Sequence, residues 1–285
     1  MRILIFGGDG RLGTALRVAY ATQYELIAPA RAEVEWTGAG IASQVDQYRP
    51  DFVLNATGYT NVPLAEGEGK TLAYWLNEEV PKFMAEACAK HNTPFLHFST
   101  DYVFAGDKLA GYVETDITGP VNVYGASKLA GELAVLLAHA PNSYIVRTSR
   151  LYGDPASAPD SKKSFVEIMV EQLTTKATLE VDDLDFSSPT LVSELVAHVA
   201  KHILDVRVTP GIYHMTNLGG TTWLGWATEI RNILALPTVI TARDQTGVVR
   251  PLVRPPYTLL LSTKLPSMSP WQEALRQHLA YERQD

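Results

Sequence analysis

The stretch Arg2-Ile3-Leu4-Ile5-Phe6-Gly7-Gly8-Asp9-Gly10-Arg11-Leu12-Gly13 decides the fold. Its short apolar run reads as a strand buried on both faces, the form taken by parallel strands covered by crossover helices. Glycines follow at 7, 10 and 13, where the pattern turns helical. In a dinucleotide loop one glycine makes the sharp turn, one lets the backbone approach a pyrophosphate, and one lets the helix pack on the strand. The free N–H groups and partial positive charge of the helix start then face the phosphate oxygens. A tight strand-to-helix turn that binds nothing would use the same glycines, so the surrounding pattern has to decide.

That pattern alternates. Strand candidates fall at Arg2–Phe6, Glu25–Ala28, Phe52–Asn55, Phe95–Ser99 and Tyr144–Thr148, with helical patterns at Leu12–Ala21, Ile41–Tyr48, Ala73–His91 and Val123–Ala138 between them. Repeated strand–helix–strand units with right-handed crossovers predict an α/β protein with a Rossmann-type, doubly wound parallel sheet. Beyond Leu151 glycine and proline interrupt more often. The helical pieces Ser164–Leu173, Ser193–Leu204 and Trp223–Leu234 are short, and the strand Ile212–Thr216 stands apart. We therefore expect an NAD(P)-binding domain over residues 1–150 and a smaller C-terminal α/β domain, mainly substrate-binding, over 151–285, with room for a later segment to return to the first sheet.

The chain has 285 residues, long enough for about two structural units. At 46% hydrophobic and 19% charged residues it has the apolar content for a packed core. A net charge of −7 with no dense basic run disfavours a nucleic-acid partner, though one phosphate site needs only local charge. No run approaches the ~18 apolar residues of a membrane span, and glycine arrives too early for a signal-peptide core. The single cysteine, Cys88, excludes an intrachain disulfide and suits a reducing cytosol, so a cytoplasmic location is expected.

Two further features carry chemistry. NAD-type loops place an acid about 20 residues on, at the ribose 2′-hydroxyl. Here the second strand ends in Pro29-Ala30-Arg31, and an arginine there suits a 2′-phosphate, hence NADPH, with NADH remaining an alternative. In Tyr124-Gly125-Ala126-Ser127-Lys128 the phenol and amine lie one helical turn apart. A phenol titrates near pH ~10, so a fixed cation helps it exchange a proton at neutral pH. Taken alone, such a pair is ordinary helix surface. Thr100, at the polar carboxyl end of an apolar strand, and Asn55-Ala56-Thr57-Gly58, at the end of another, add polar features to the edge where open α/β sheets bind ligands.

With these residues in hand, the chain resembles the extended short-chain dehydrogenase/reductases and, among them, the dTDP-4-dehydrorhamnose reductase family. The match is carried by Ser99-Thr100-Asp101-Tyr102-Val103-Phe104, Gly111-Tyr112-Val113-Glu114-Thr115-Asp116, Pro120-Val121-Asn122-Val123-Tyr124-Gly125-Ala126-Ser127-Lys128-Leu129-Ala130-Gly131-Glu132 and Arg147-Thr148-Ser149. Pro189-Thr190, Gly211-Ile212-Tyr213-His214, Thr221-Thr222-Trp223 and Arg254-Pro255 follow in the family's order. The resemblance implies that Tyr124 donates the proton, that Lys128 lowers the phenol pKa and holds the nicotinamide ribose, and that Thr100 polarises the keto group. Gly10, Arg11 and Leu12 would line the pyrophosphate, with Gly58, Tyr59 and Thr60 bordering the cofactor, and Gly7 and Gly13 complete the cofactor-binding loop. Thr100 and Asp101 match substrate-contacting positions. The implied reaction is NADPH-dependent hydride transfer to C4 of a nucleotide-linked 4-keto-6-deoxysugar, as in dTDP-rhamnose biosynthesis.

The substrate wall departs from that pattern. Arg150 stands where the family has a tryptophan bordering the sugar. Val62-Pro63-Leu64-Ala65-Glu66 and Leu184-Asp185-Phe186-Ser187 also differ from the family's residues. Arg150 is thus expected to touch substrate, with rhamnose itself in question. Some members bind magnesium at an acidic dimer contact, but no matching cluster is evident, so no metal is expected; a homodimer remains open. Cys88, Trp223, Trp226 and Trp271 read as packing residues, and His97 and His214 as core or supporting groups. Asp182, Asp183 and Asp185 read as a solvated turn. Two alternatives remain at this stage: an epimerase or dehydratase that keeps NAD bound, which would prefer an acid near Arg31, and a noncatalytic regulatory subunit like the β subunit of methionine adenosyltransferase.

Overall fold

A computed structural model describes residues 1–158, 161–245 and 252–281. Along the chain the elements are β1 (Arg2–Phe6), α1 (Arg11–Tyr20), β2 (Glu25–Ile27), α2 (Gly38–Tyr48), β3 (Phe52–Asn55), α3 (Val62–Ala65), α4 (Lys70–Tyr74), α5 (Val80–His91), β4 (Phe95–Thr100), α6 (Val123–His139), β5 (Ser143–Thr148), β6 (Leu151–Tyr152), α7 (Phe165–Thr175), β7 (Thr178–Val181), β8 (Thr190–Leu191), α8 (Val192–Val199), β9 (Gly211–His214), α9 (Trp223–Leu234), β10 (Val239–Ala242) and α10 (Trp271–Tyr281).

Six of the strands form one sheet in the order β2-β1-β3-β4-β5-β9, and every neighbouring pair is parallel. Residues of β1, β3, β4 and β5 alternate between two apolar layers. One contains Ile3, Ile5 and Leu54 with α1 and α8, and the other contains Leu4, Phe6 and Val53 with α2 and α5. This two-sided burial is why the strands read as continuous apolar runs. The chain leaves β1 for β2 on one side and comes back to β3 on the other. The resulting crevice at the carboxyl ends of β1 and β3 is the place where such sheets bind ligands.

Three local outcomes differ from the sequence reading. The helix expected over Ala73–His91 is split by a π-helical turn at Trp75–Glu79. Pro81 lies one turn beyond Asn77 and has no N–H for the Asn77 carbonyl, so the ladder widens, and Val80 N–H bonds to Trp75 O instead. The segment expected to stand apart, read as Ile212–Thr216, forms β9 and closes the edge of the main sheet beside β5. Helix α8, from the same half of the chain, packs its Val192, Leu195 and Val199 into the core layer beside α1. The second lobe is built on a separate core from α7, β7, α9 and α10, with Trp226 and Trp271 buried in it.

Candidate active site

The glycine loop is shaped by close approach. Gly7 has φ +81°, and a Cβ there would stand 2.8 Å from the Thr57 backbone nitrogen. A Cβ on Gly13 would stand 2.0 Å from the Gly7 carbonyl, so α1 reaches this close to β1 only with glycine there. Gly10 caps α1 without a side chain, leaving its face open to a ligand.

Three neighbouring cavities run along this edge. One, of about 300 Å³, is lined by Gly7, Gly8, Gly10, Arg31, Trp36 and Trp75. The largest, about 510 Å³, extends from Gly10 and Leu12 past Gly58, Tyr59 and Thr60 to Thr100, Tyr124 and Lys128. The last, about 360 Å³, shares Thr60, Thr100, Tyr124 and Arg150 and adds Asp101, Trp223 and Arg254. These sizes suit small-molecule sites. A separate void of about 80 Å³ beside His198 and His214 is too small for a dinucleotide.

Thr100 and Tyr124 sit where the two larger cavities meet. Asn122 caps α6 by accepting a hydrogen bond from Gly125 N–H at 2.8 Å, which puts Tyr124 in the first turn and Lys128 one turn further. The half-buried Tyr124 ring meets Tyr102 edge to face at 5.6 Å. Burial pushes its phenol up to about 12, opposed by a hydrogen bond with the Thr100 hydroxyl. The phenol therefore keeps its proton at neutral pH. Lys128 is buried, and its Nζ donates to the Phe98 carbonyl at 2.5 Å and lies 3.3 Å from His97 Nε2. Burial holds this ammonium down to about 8, opposed by the Glu132 charge.

Several site residues are held by partners that the sequence did not reveal. Asp101 is buried, and its Oδ1 accepts from Thr100 at 3.0 Å. Its Oδ2 accepts from Ser149 at 2.8 Å and from Thr258 at 2.6 Å. Burial raises its pKa against those bonds, so Asp101 braces Thr100 more than it offers a free carboxylate. Asn77, in the π turn, pins the cofactor-side loop: it accepts from Tyr59 N–H at 2.8 Å and donates to the Tyr59 carbonyl and to Ser127.

The Arg11 side chain turns away from the glycine loop. Its guanidinium donates to the Gly153 and Asp154 carbonyls and pairs with Glu167 at 2.6 Å. Arg31 is exposed at the wall of the first cavity, and among the described residues nothing pairs with its guanidinium. The nearby acid Glu33 is already engaged, accepting from Ala30 N–H at 2.7 Å.

Arg150 adopts φ +42° at the end of β5 and stacks on the Trp223 ring at 3.9 Å. It donates to the carbonyls of Thr221, at 3.0 Å, and Asp185. Burial pulls its pKa down to about 10, opposed by the Asp101 charge. Trp223 packs on Phe165 and Trp226 as the sequence reading expects, and it also lines the outer cavity, which that reading did not anticipate. A Thr-Thr-Trp at a helix start, with the Thr222 cap exposing the ring in the first turn, was the available signal. Asp185 pairs with Arg254 at 3.5 Å, Asp183 accepts from Thr222 at 2.6 Å, and Asp182 lies 3.6 Å from Arg243.

A glycine loop after β1, a threonine ending β4 and a Tyr-x-x-x-Lys pair opening the next helix define the class of extended short-chain dehydrogenase/reductases. Residues 1–283 match the family described as RmlD substrate binding domain. A dTDP-4-dehydrorhamnose reductase of Streptomyces griseus is 36% identical over 96% of this chain and 91% of its own length. The chain belongs to the dTDP-4-dehydrorhamnose reductase family. The crystal structure of the Bacillus anthracis dTDP-4-dehydrorhamnose reductase, in complex with NADP, superimposes with a TM-score of 0.90 at 28% identity, covering 98% of this chain and 99% of that one. A Streptomyces antibioticus relative, described as a probable dTDP-4,6-dihydroxy-2-methyloxan-3-one 4-ketoreductase, is 33% identical over 97% of this chain and 94% of its own length.

Proposed function

We propose that this chain is an NADPH-dependent reductase of a dTDP-linked 4-keto-6-deoxysugar. The observation that carries this reading is the position of Thr100 and Tyr124, which line both the cofactor-side and the outer cavity. Bound NADPH supplies a hydride to the C4 carbonyl carbon. Thr100 orients the carbonyl oxygen, and Tyr124 gives its phenolic proton to the alkoxide as it forms. Lys128, one turn away, offsets the charge of the tyrosinate that remains, and solvent returns the proton.

Arg31 is assigned to the 2′-phosphate, because it lines the cavity beside the glycine loop while Glu33 is committed to the backbone. The backbone of Gly7, Gly10, Arg11, Leu12 and Gly13 is assigned to the pyrophosphate, and Gly58, Tyr59 and Thr60 to the cofactor's nicotinamide half. Residues 1–150 carry the cofactor in this reading, and most of 151–285 the substrate. Arg150 and Asp101 face the nucleotide sugar, and the single buried Cys88 suits a cytoplasmic setting. Arg150 stacked on Trp223 gives a cationic sugar wall, so the preferred sugar is expected to differ from the rhamnose precursor in stereochemistry or substitution. The test is NADPH consumption by purified protein across a panel of dTDP-4-keto-6-deoxysugars. Turnover of at least one member is expected, and none across the panel would overturn the reading.

A further inference from the structure

Behind Lys128 lies a buried polar chain that the proposed chemistry does not use. Asn55 ends β3 and His97 lies in β4, opposite it in the parallel register, and both are fully buried. The hydrogen bonds fix where the protons sit. Asn55 Oδ1 accepts from the Thr57 N–H at 2.9 Å and the Thr57 hydroxyl at 2.6 Å, which sets the amide's orientation. The Asn55 Nδ2, a donor only, then points at His97 Nδ1 at 3.0 Å, so that ring nitrogen must accept. A neutral imidazole carries its one proton on the other nitrogen, Nε2, and this is the atom 3.3 Å from Lys128 Nζ. An N–H facing an ammonium meets no acceptor, whereas facing a neutral amine it meets a lone pair.

We propose that His97 is a positioning residue for Lys128: held in its Nε2–H form by Asn55, it seats the lysine nitrogen against the Phe98 carbonyl and favours the neutral amine. The inference rests on the reading of Tyr124 and Lys128 as the catalytic pair. The titratable groups acting on the amine are His97 from β4, at 3.3 Å, and Glu132 from its own helix. Glu132 is itself held by Arg147 of β5 at 2.6 Å and by Ser99. Burial and the lysine charge hold the His97 pKa well below its ordinary value, so the imidazole stays neutral while the lysine titrates. The ammonium is the form that offsets a tyrosinate. Reduction should therefore slow as pH rises through the lysine titration, at a position that His97 helps to set.

The experiment compares kcat against pH for the protein and for N55D, H97N and Y124F, using the dTDP-4-ketosugar turned over fastest. N55D replaces the amide donor with an acceptor, which moves the imidazole proton to Nδ1 and leaves Nε2 to accept from the ammonium. H97N keeps an acceptor for Asn55 and removes the N–H at the lysine. Both should move the high-pH limb upward by about one unit. An unmoved limb in both, with Y124F slowed by about 10²-fold or more, overturns the role of His97 and leaves the catalytic pair standing. Full activity in Y124F overturns the catalytic reading itself. Imidazole nitrogen NMR on the unsubstituted protein decides the point even if a buried variant fails to fold: an unprotonated His97 Nδ1 is expected, and a protonated one contradicts the inference.

Discussion

The edge proposed to hold the cofactor and the wall proposed to meet the substrate are built in different ways. At the cofactor edge every functional group sits at a strand end or a helix start. Gly7 follows β1, Gly58 follows β3, Thr100 ends β4, and Tyr124 and Lys128 occupy the first turns of α6. Their positions follow from backbone geometry. At the substrate wall Arg150, Asp185, Trp223 and Arg254 come from four separated segments and hold one another through side chains. The first arrangement keeps a reaction fixed, and the second leaves the choice of substrate open to change at single positions.

Substitutions can break or sharpen this contrast. The largest effect is expected for Y124F, which removes the donated proton. kcat should fall by about 10²–10⁴-fold with NADPH affinity nearly unchanged, measured by steady-state rates and fluorescence titration. Next is T100V, which removes a hydroxyl bonded to Asp101 and Tyr124; kcat should fall by roughly 10- to 100-fold, the scale of one lost polar contact at a reacting centre. R31A should raise the KM for NADPH by about tenfold and leave that for NADH nearly unchanged, because only the former carries the 2′-phosphate. The smallest effect on chemistry, and the sharpest on selectivity, is expected for R150W. It should change the ratio of kcat/KM between two dTDP-4-ketosugars by about tenfold or more while the pH profile of kcat stays in place. If R150W abolished turnover of every sugar and T100V did nothing, the division between the two regions would fail.

The same division explains what the sequence disclosed. β1 and β3 were legible to the residue because strands buried on both faces are unbroken apolar runs, and the helices between them followed from periodicity. Thr100 was visible as the polar end of a strand, and Tyr124 and Lys128 as a pair one helical turn apart, while the roles proposed for them came from the family resemblance. The partner of β9 was not, since a four-residue strand does not encode that it pairs with β5 more than 60 residues upstream. The π turn had a visible cause in Pro81, but the apolar pattern around it masked the break. The engagement of Asp101, matched by resemblance to a substrate-contacting position, was not legible because Ser149 and Thr258, its hydroxyl partners, are distant in sequence. The Arg11 side chain was likewise redirected by Glu167, a contact across 156 positions. Trp223 packs as its apolar neighbours on α9 suggest, but its second role at the outer cavity depends on Arg150, which is distant in sequence.

Following the label from NADPH deuterated at its transferable position tests the central claim most directly. Product formed from a dTDP-4-keto-6-deoxysugar by the purified protein is predicted to carry deuterium at C4 of the sugar, with one NADPH oxidised per product and Y124F forming product at least about 10²-fold more slowly. Hydrogen at C4 in place of the label, or sugar interconversion without net NADPH oxidation, would contradict it.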